Sequence, residues 1–61
     1  MKSYIDMQTS EVVYYRESVV DNYKIRYEIK SGWFYVTASG DFVDNFTTLE
    51  QAVNFLDTVW D

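Results

Sequence analysis

Residues 22–38 read NYKIRYEIKSGWFYVTA. Tyr23, Ile25, Tyr27 and Ile29 alternate there with Lys24, Arg26, Glu28 and Lys30. A period of two marks a strand with one buried face. Ser31-Gly32 then supplies a turn, because Gly tolerates the positive φ of two-residue hairpin loops. The chain returns through Trp33-Phe34-Tyr35-Val36-Thr37-Ala38. A two-residue loop predicts the opposed pairs Lys30–Trp33, Ile29–Phe34, Glu28–Tyr35, Tyr27–Val36, Arg26–Thr37 and Ile25–Ala38. Opposed residues point to the same side. One face is therefore Tyr23, Ile25, Tyr27, Ile29, Phe34, Val36 and Ala38, a core face. The other is Lys24, Arg26, Glu28, Lys30, Trp33, Tyr35 and Thr37, which mixes charge with aromatic rings.

Downstream, Ser39-Gly40 marks a second turn and Asp41-Phe42-Val43 a short third strand. A bulge at Gly40 would exchange Phe42 and Val43 between faces. Thr47 and Glu50 have capping-box spacing, and Glu50 suits the positive end of a helix. Leu49, Ala52, Val53, Leu56, Val59 and Trp60 form one helical stripe with Phe55 on its flank. This predicts a helix over residues 48–59, packed on the Tyr23/Ile25/Phe34/Val36 face. Asp57 and Asp61 near its end oppose the helix dipole.

Upstream, residues 10–20 are rich in β-branched and aromatic side chains, which favours a strand. Helical spacing of Val12, Tyr15, Val19 and Tyr23 is the competing reading. With Asp21-Asn22 as a hairpin turn and a three-residue loop, Val13, Tyr15 and Val19 join the core face and Glu17 is the misfit. Tyr4, Ile5 and Met7 suggest a short edge strand. The expected fold is thus α+β, a single domain over residues 1–61. It comprises an antiparallel, hairpin-rich sheet of three or four strands with one C-terminal helix on one face.

Sixty-one residues make one small domain, which holds only a few kcal/mol of net stability. Cys and His are absent, so disulfides and the common zinc sites are excluded. The chain has no nucleophile–base pair of the usual kind and no Gly-rich phosphate loop, and it is too short for a deep cleft. The expectation is no enzyme, no catalytic residue, no metal and no cofactor. Asp41, Asp44 and Glu50 lack the spacing of a calcium loop. Asn45-Phe46-Thr47 matches a glycosylation sequon, but MKSYIDMQTSE shows no apolar signal-peptide centre and no span of membrane length occurs. A cytoplasmic location follows as an expectation, with no membrane partner.

Two surfaces stand out as candidate binding sites. The first is the outer sheet face, with Trp33 and Tyr35 among Lys24, Arg26 and Lys30. Such a patch suits a protein hot spot. Aromatic rings with cations also hold single-stranded nucleic acid, the alternative reading. Phosphate neutralisation dominates that affinity, and a net charge of −5 disfavours it. The second is acidic. Residues 1–30 carry five basic and five acidic side chains, whereas residues 31–61 carry Asp41, Asp44, Glu50, Asp57 and Asp61 and no base. That one-sided charge favours solubility and basic partners, and could mimic the phosphates of DNA. Two Trp, six Tyr and four Phe exceed what so small a core can hold. The surplus suggests a partner or a homodimer, up to a structural homo-oligomer with no other activity.

The run Gly32-Trp33-Phe34-Tyr35-Val36, then Gly40, then Phe46-Thr47-Thr48-Leu49-Glu50-Gln51-Ala52-Val53-Asn54-Phe55-Leu56 covers about half the chain. It resembles the hairpin-then-helix unit of very small, acidic, phage-encoded accessory proteins, the host-takeover and anti-defence class. The resemblance implies a stoichiometric inhibitor or modulator of a host polymerase, nuclease or defence complex, acting in the host cytoplasm. Some members of that class mimic DNA charge. The resemblance assigns no residue a role.

Overall fold

The computed structural model describes residues 1–16 and 22–59. Five strands follow one another as β1 (Lys2–Asp6), β2 (Glu11–Tyr15), β3 (Tyr23–Tyr27), β4 (Phe34–Ala38) and β5 (Asp41–Phe46), and a helix α1 (Leu49–Val59) closes the chain. The strands form one antiparallel sheet in the order β1-β2-β3-β4-β5, a meander with each strand beside its neighbours in sequence. The fold is α+β as expected, with five strands rather than three or four. The additional strand is β1, whose five residues pair in full with β2, from Lys2 opposite Tyr15 to Asp6 opposite Glu11. It lies at residues 2–6, so Tyr4 and Ile5 belong to it and Met7 does not.

The β3–β4 hairpin differs from expectation in its loop. The amide of Gly32 donates to the Glu28 carbonyl (2.8 Å) and that of Glu28 to the Trp33 carbonyl (3.0 Å). Four residues, 29–32, therefore make the loop, and Gly32 takes the positive φ of 76°. Pairing becomes Tyr27–Phe34, Arg26–Tyr35, Ile25–Val36, Lys24–Thr37 and Tyr23–Ala38. The ladder has slipped by two residues from the two-residue-loop register. An even slip keeps every strand side chain on its face, because side-chain direction has a period of two. Ile29 and Lys30 alone lose their expected places, since both now lie exposed in the loop.

The β1–β2 loop, residues 7–10, is built the same way. The Ser10 amide donates to the Asp6 carbonyl (2.7 Å), Ser10 has φ of 61°, and the Glu11 amide donates to Thr9 Oγ1 (3.3 Å). Its counterpart in the other loop is the Trp33 amide donating to Ser31 Oγ (3.3 Å). Hydroxyl side chains thus hold the amides that leave both loops. Between β4 and β5, Ser39 and Gly40 both have positive φ, 53° and 87°. That pair of angles belongs to a type I′ turn, whose twist suits a two-residue hairpin. A bulge follows, but at Val43 and not at Gly40: Thr37 pairs with Phe42 whereas Val36 pairs with Asp44.

In β2 the expectation fails by one residue. Tyr14 pairs with Ile25 and Val12 with Tyr27, so Val12 and Tyr14 share the helix side of the sheet. Val13 and Tyr15 point the other way. The proposed Asp21-Asn22 turn, Val19 and Glu17 fall at residues outside those described, apart from Asn22. Residues 16–22 separate β2 from β3, and the loop length assumed from the sequence did not fix the parity of β2. The strand reading itself holds for Glu11–Tyr15.

The helix begins one residue later than its capping-box reading. Thr48 is the cap, its Oγ1 accepting from the Gln51 amide (3.2 Å) and its carbonyl accepting from Ala52 (3.3 Å). Gln51 Oε1 reaches back to the Thr47 amide (3.2 Å) and hydroxyl (3.0 Å). Thr48, not Thr47, is thus the cap, and the Gln51 side chain closes on Thr47 in place of the Glu50 partner expected for it. The apolar stripe lands as expected. Ala52 and Leu56 are fully buried with Ile25 and Val36, and Tyr14, Tyr23, Phe34, Phe46, Leu49, Val53 and Phe55 pack around them. Phe46 and Phe55 join strand to helix at 5.5 Å between ring centres. Val59 lies at the rim, and Trp60 falls outside the described residues.

Candidate functional site

The helix packs against β4 and β5 on one face of the sheet only. Among the described residues the opposite face bears no second layer, and by register it carries Tyr4, Val13, Arg26, Tyr35, Thr37 and Phe42 across its centre. Trp33 extends that row, because Glu28 and Trp33 continue the β3–β4 ladder beyond Arg26 and Tyr35. Trp33 is 38% exposed and Phe42 63%. Tyr35 lies two residues from Trp33 and meets Phe42 edge-on, with ring centres 6.1 Å apart. The three rings make an aromatic ridge on the β4–β5 side of the open face. Tyr4 and Tyr15 form a second, also edge-on at 5.7 Å, on the β1–β2 side.

Between the two ridges sits Arg26. Its Nη1 donates to Asp6 Oδ2 (3.1 Å) and to Glu11 Oε1 (3.2 Å). All three side chains are mostly covered, at 17–26% exposed. Burial opposes the charge of Arg26, yet its hydrogen bonds to Asp6 and Glu11 outweigh it and hold the guanidinium firmly protonated. Beneath it lies Val13, fully buried although it faces away from the helix. Tyr4 and Arg26 stand directly opposite it on the two flanking strands, and Glu11 and Tyr15 stand two residues along its own. Long side chains on four sides close over one valine, with their stems as apolar cover.

The sequence-derived candidates therefore divide. Trp33, Tyr35, Lys24 and Arg26 do share one face. Lys30 does not belong to it, being in the β3–β4 loop. Arg26 is committed to two carboxylates, so the expected cationic track is one residue shorter and internally neutralised. Phe42 belongs to the patch and was missed: the Ser39-Gly40 turn pairs it with Thr37, and the Val43 bulge puts it on the opposite face from Phe46, a break in alternation that leaves no mark in the local pattern. The acidic candidates are spread over different elements. Asp41 and Asp44 lie on the edge strand β5, Glu50 in the first turn of α1, and Asp57 near its other end, ion-paired with Arg16. That pairing accounts for an acid near the negative end of the helix. Asp61 falls outside the described residues. Among the described residues no three acidic side chains converge to hold a metal ion, and no helix is long and apolar enough to cross a membrane.

A partly open hollow of about 510 Å³ separates the two similar loops at one end of the sheet, lined by Thr9, Ser10, Glu11, Glu28, Ile29 and Lys30. Its walls are loop side chains rather than convergent catalytic groups.

The Asp6 carboxyl is held below its usual value. The largest cause is the Gln8 amide donating to Oδ1 (2.9 Å), and the Arg26 hydrogen bond adds to it. A carboxyl with a lowered folded-state pKa stabilises fully above its unfolded value, about 3.9, and loses that contribution as pH falls through the folded value. Asp6→Asn is therefore expected to be less stable than the parent at neutral pH. The difference should shrink steadily in acid below about pH 4. Urea titrations across that range measure it; a constant difference would show that Asp6 acts through shape alone.

No protein-family model matches this chain, and no curated protein or solved structure matches it either.

Proposed function

We propose that this protein is a non-enzymatic binding module that engages another protein through its open sheet face, centred on Trp33, Tyr35 and Phe42. The observation that carries this reading is the exposed aromatic ridge on the one face the helix leaves bare. Trp, Tyr and Arg dominate the energetics of protein interfaces, and a desolvated aromatic centre with a polar rim is their usual form. Arg26 supports the protein reading over nucleic acid, because its charge is already answered by Asp6 and Glu11 and is not available to a phosphate. The resemblance to small phage-encoded accessory proteins suggests the kind of partner: a host nucleic-acid enzyme or a defence complex, inhibited or modulated by stoichiometric binding.

The test compares two surfaces on the same bait. Trp33→Ala with Phe42→Ala is expected to weaken capture of the partner by about tenfold or more, the scale of interface hot spots. Asp41→Lys with Asp44→Lys should leave capture intact. The reverse pattern would move the function to the acidic edge and favour phosphate mimicry. Fluorescence anisotropy of a labelled single strand completes the comparison. Binding that falls steeply with added salt would replace the protein reading with the nucleic-acid one.

A further inference from the structure

Among the described residues the sheet has two uncovered edges, and they are not alike. The β5 edge is interrupted by the Val43 bulge and carries Asp41 and Asp44. Bulges and charges are the usual devices that stop an edge from pairing with another chain. The β1 edge has neither a bulge nor a proline, and all five of its residues are in continuous register with β2. It is also where exposed apolar side chains concentrate. Met1, Tyr4, Ile5 and Met7 are four of the nine large exposed hydrophobics among the described residues, with Ile5 at 62% and Met7 at 87%.

The sequence of β1, Lys2-Ser3-Tyr4-Ile5-Asp6, is complementary to itself when reversed. Laid antiparallel on a second copy with Tyr4 opposite Tyr4, it places Lys2 opposite Asp6 at both ends and Ser3 opposite Ile5 between. This register pairs all five residues. A slip of two residues in either direction loses two pairs and both charge matches. Lys2, Tyr4 and Asp6 share the open face by alternation, so both charge pairs and the Tyr4 rings would lie there. Asp6 can accept the additional donor while it keeps its bonds from Gln8 and Arg26, since a carboxylate has about four acceptor sites.

We propose that β1 is a self-association edge, and that two copies of this chain join β1 to β1 in that register to make one ten-stranded sheet. The seam carries the Tyr15–Tyr4 ridge of one copy into that of the other, so the open faces become a single surface. The proposal is independent of what the Trp33 ridge binds. Five residues per chain bury far less than the roughly 1,600 Å² of a standard interface, so the association is weak and concentration-dependent.

Two measurements test it. Sedimentation or light scattering from about 20 μM to about 1 mM should show the 7.3 kDa chain rising towards twice its mass, and Lys2→Glu should weaken that rise roughly tenfold by setting like charges opposite each other at both ends. The chain has no cysteine, so a single introduced thiol reports geometry directly. Opposed residues have Cα atoms about 4.5–5.5 Å apart, within disulfide reach. Tyr4→Cys should therefore cross-link rapidly on mild oxidation. Ser3→Cys places its thiols about 8 Å apart, beyond that reach, and should cross-link slowly. Equal cross-linking of the two variants overturns the register. A mass that stays monomeric throughout overturns the dimer. Self-association abolished by Phe42→Ala but untouched by Lys2→Glu places the contact on the open face instead and overturns the edge. Circular dichroism of each variant at low concentration shows whether a lost dimer reflects a lost fold.

Discussion

Leu56→Ala is expected to leave most of the chain unfolded. Leu56 is fully buried between Ile25, Val36 and Ala52, where the helix meets the sheet. Removing a buried leucine side chain to alanine costs about 2–5 kcal/mol, the transfer term plus the cavity left behind. A 61-residue domain without a cysteine to cross-link has only a few kcal/mol in total. The helix is the only second layer the sheet has among the described residues, so no other packed element can take over its burial. Urea denaturation followed by circular dichroism measures the loss, with Val59→Ala as the control. Val59 sits on the same helix but is 38% exposed, and its truncation should cost about 0.5 kcal/mol or less. Similar losses for the two would mean that the helix is not anchored through Leu56.

Val13→Thr carries the second large expectation. The change keeps shape and β-branching but buries a hydroxyl. Val13 is fully buried beneath side chains from three strands. A buried hydroxyl with no hydrogen-bond partner costs about 1–3 kcal/mol. Val12 lies on the helix side and is only half-buried, so Val12→Thr leaves its hydroxyl within reach of water and should cost well under 1 kcal/mol. The pair of variants reads the parity of β2 directly. If Val12→Thr proved the more damaging, β2 would be turned over and Val13 would belong to the helix-side core. The result also bears on the open face. A site that depends on Val13 is a small packed layer in its own right, with Arg26, Tyr4, Tyr15 and Glu11 as its cover.

The faces of the β3–β4 hairpin were legible because alternation along each strand is a local property. Even the wrong loop length did no harm there, since two- and four-residue loops differ by an even slip. The helix was legible for the same reason: Ala52 and Leu56 lie one turn apart and find the same core. The cap was displaced by one residue because Thr47 and Thr48 are adjacent and both qualify chemically. Their choice depends on which amide each can reach once Phe46 has been fixed on β5. In β2 the β-branched and aromatic content favoured a strand, but which of its two faces points inward was not legible. Val12, Val13, Tyr14 and Tyr15 offer apolar side chains to both sides.

The amino-acid sequence alone thus determined the central hairpin and its burial pattern, the amphipathic helix and the lack of thiol and imidazole chemistry. These follow from periodicity and composition, which any short window of the chain expresses. Tertiary structure alone decided what the open face is made of. Asp6 and Glu11 reach Arg26 from 20 and 15 residues away. Only the closing of β1 on β2 and of β2 on β3 turns a cation of the sequence into a neutralised centre. The Val43 bulge likewise leaves Phe42 on that face while it sends Phe46 to the helix side, and the bulge exists only as a mismatch between two paired strands. Charge cancellation and register are properties of pairs, and the partners in those pairs are set by the closed sheet.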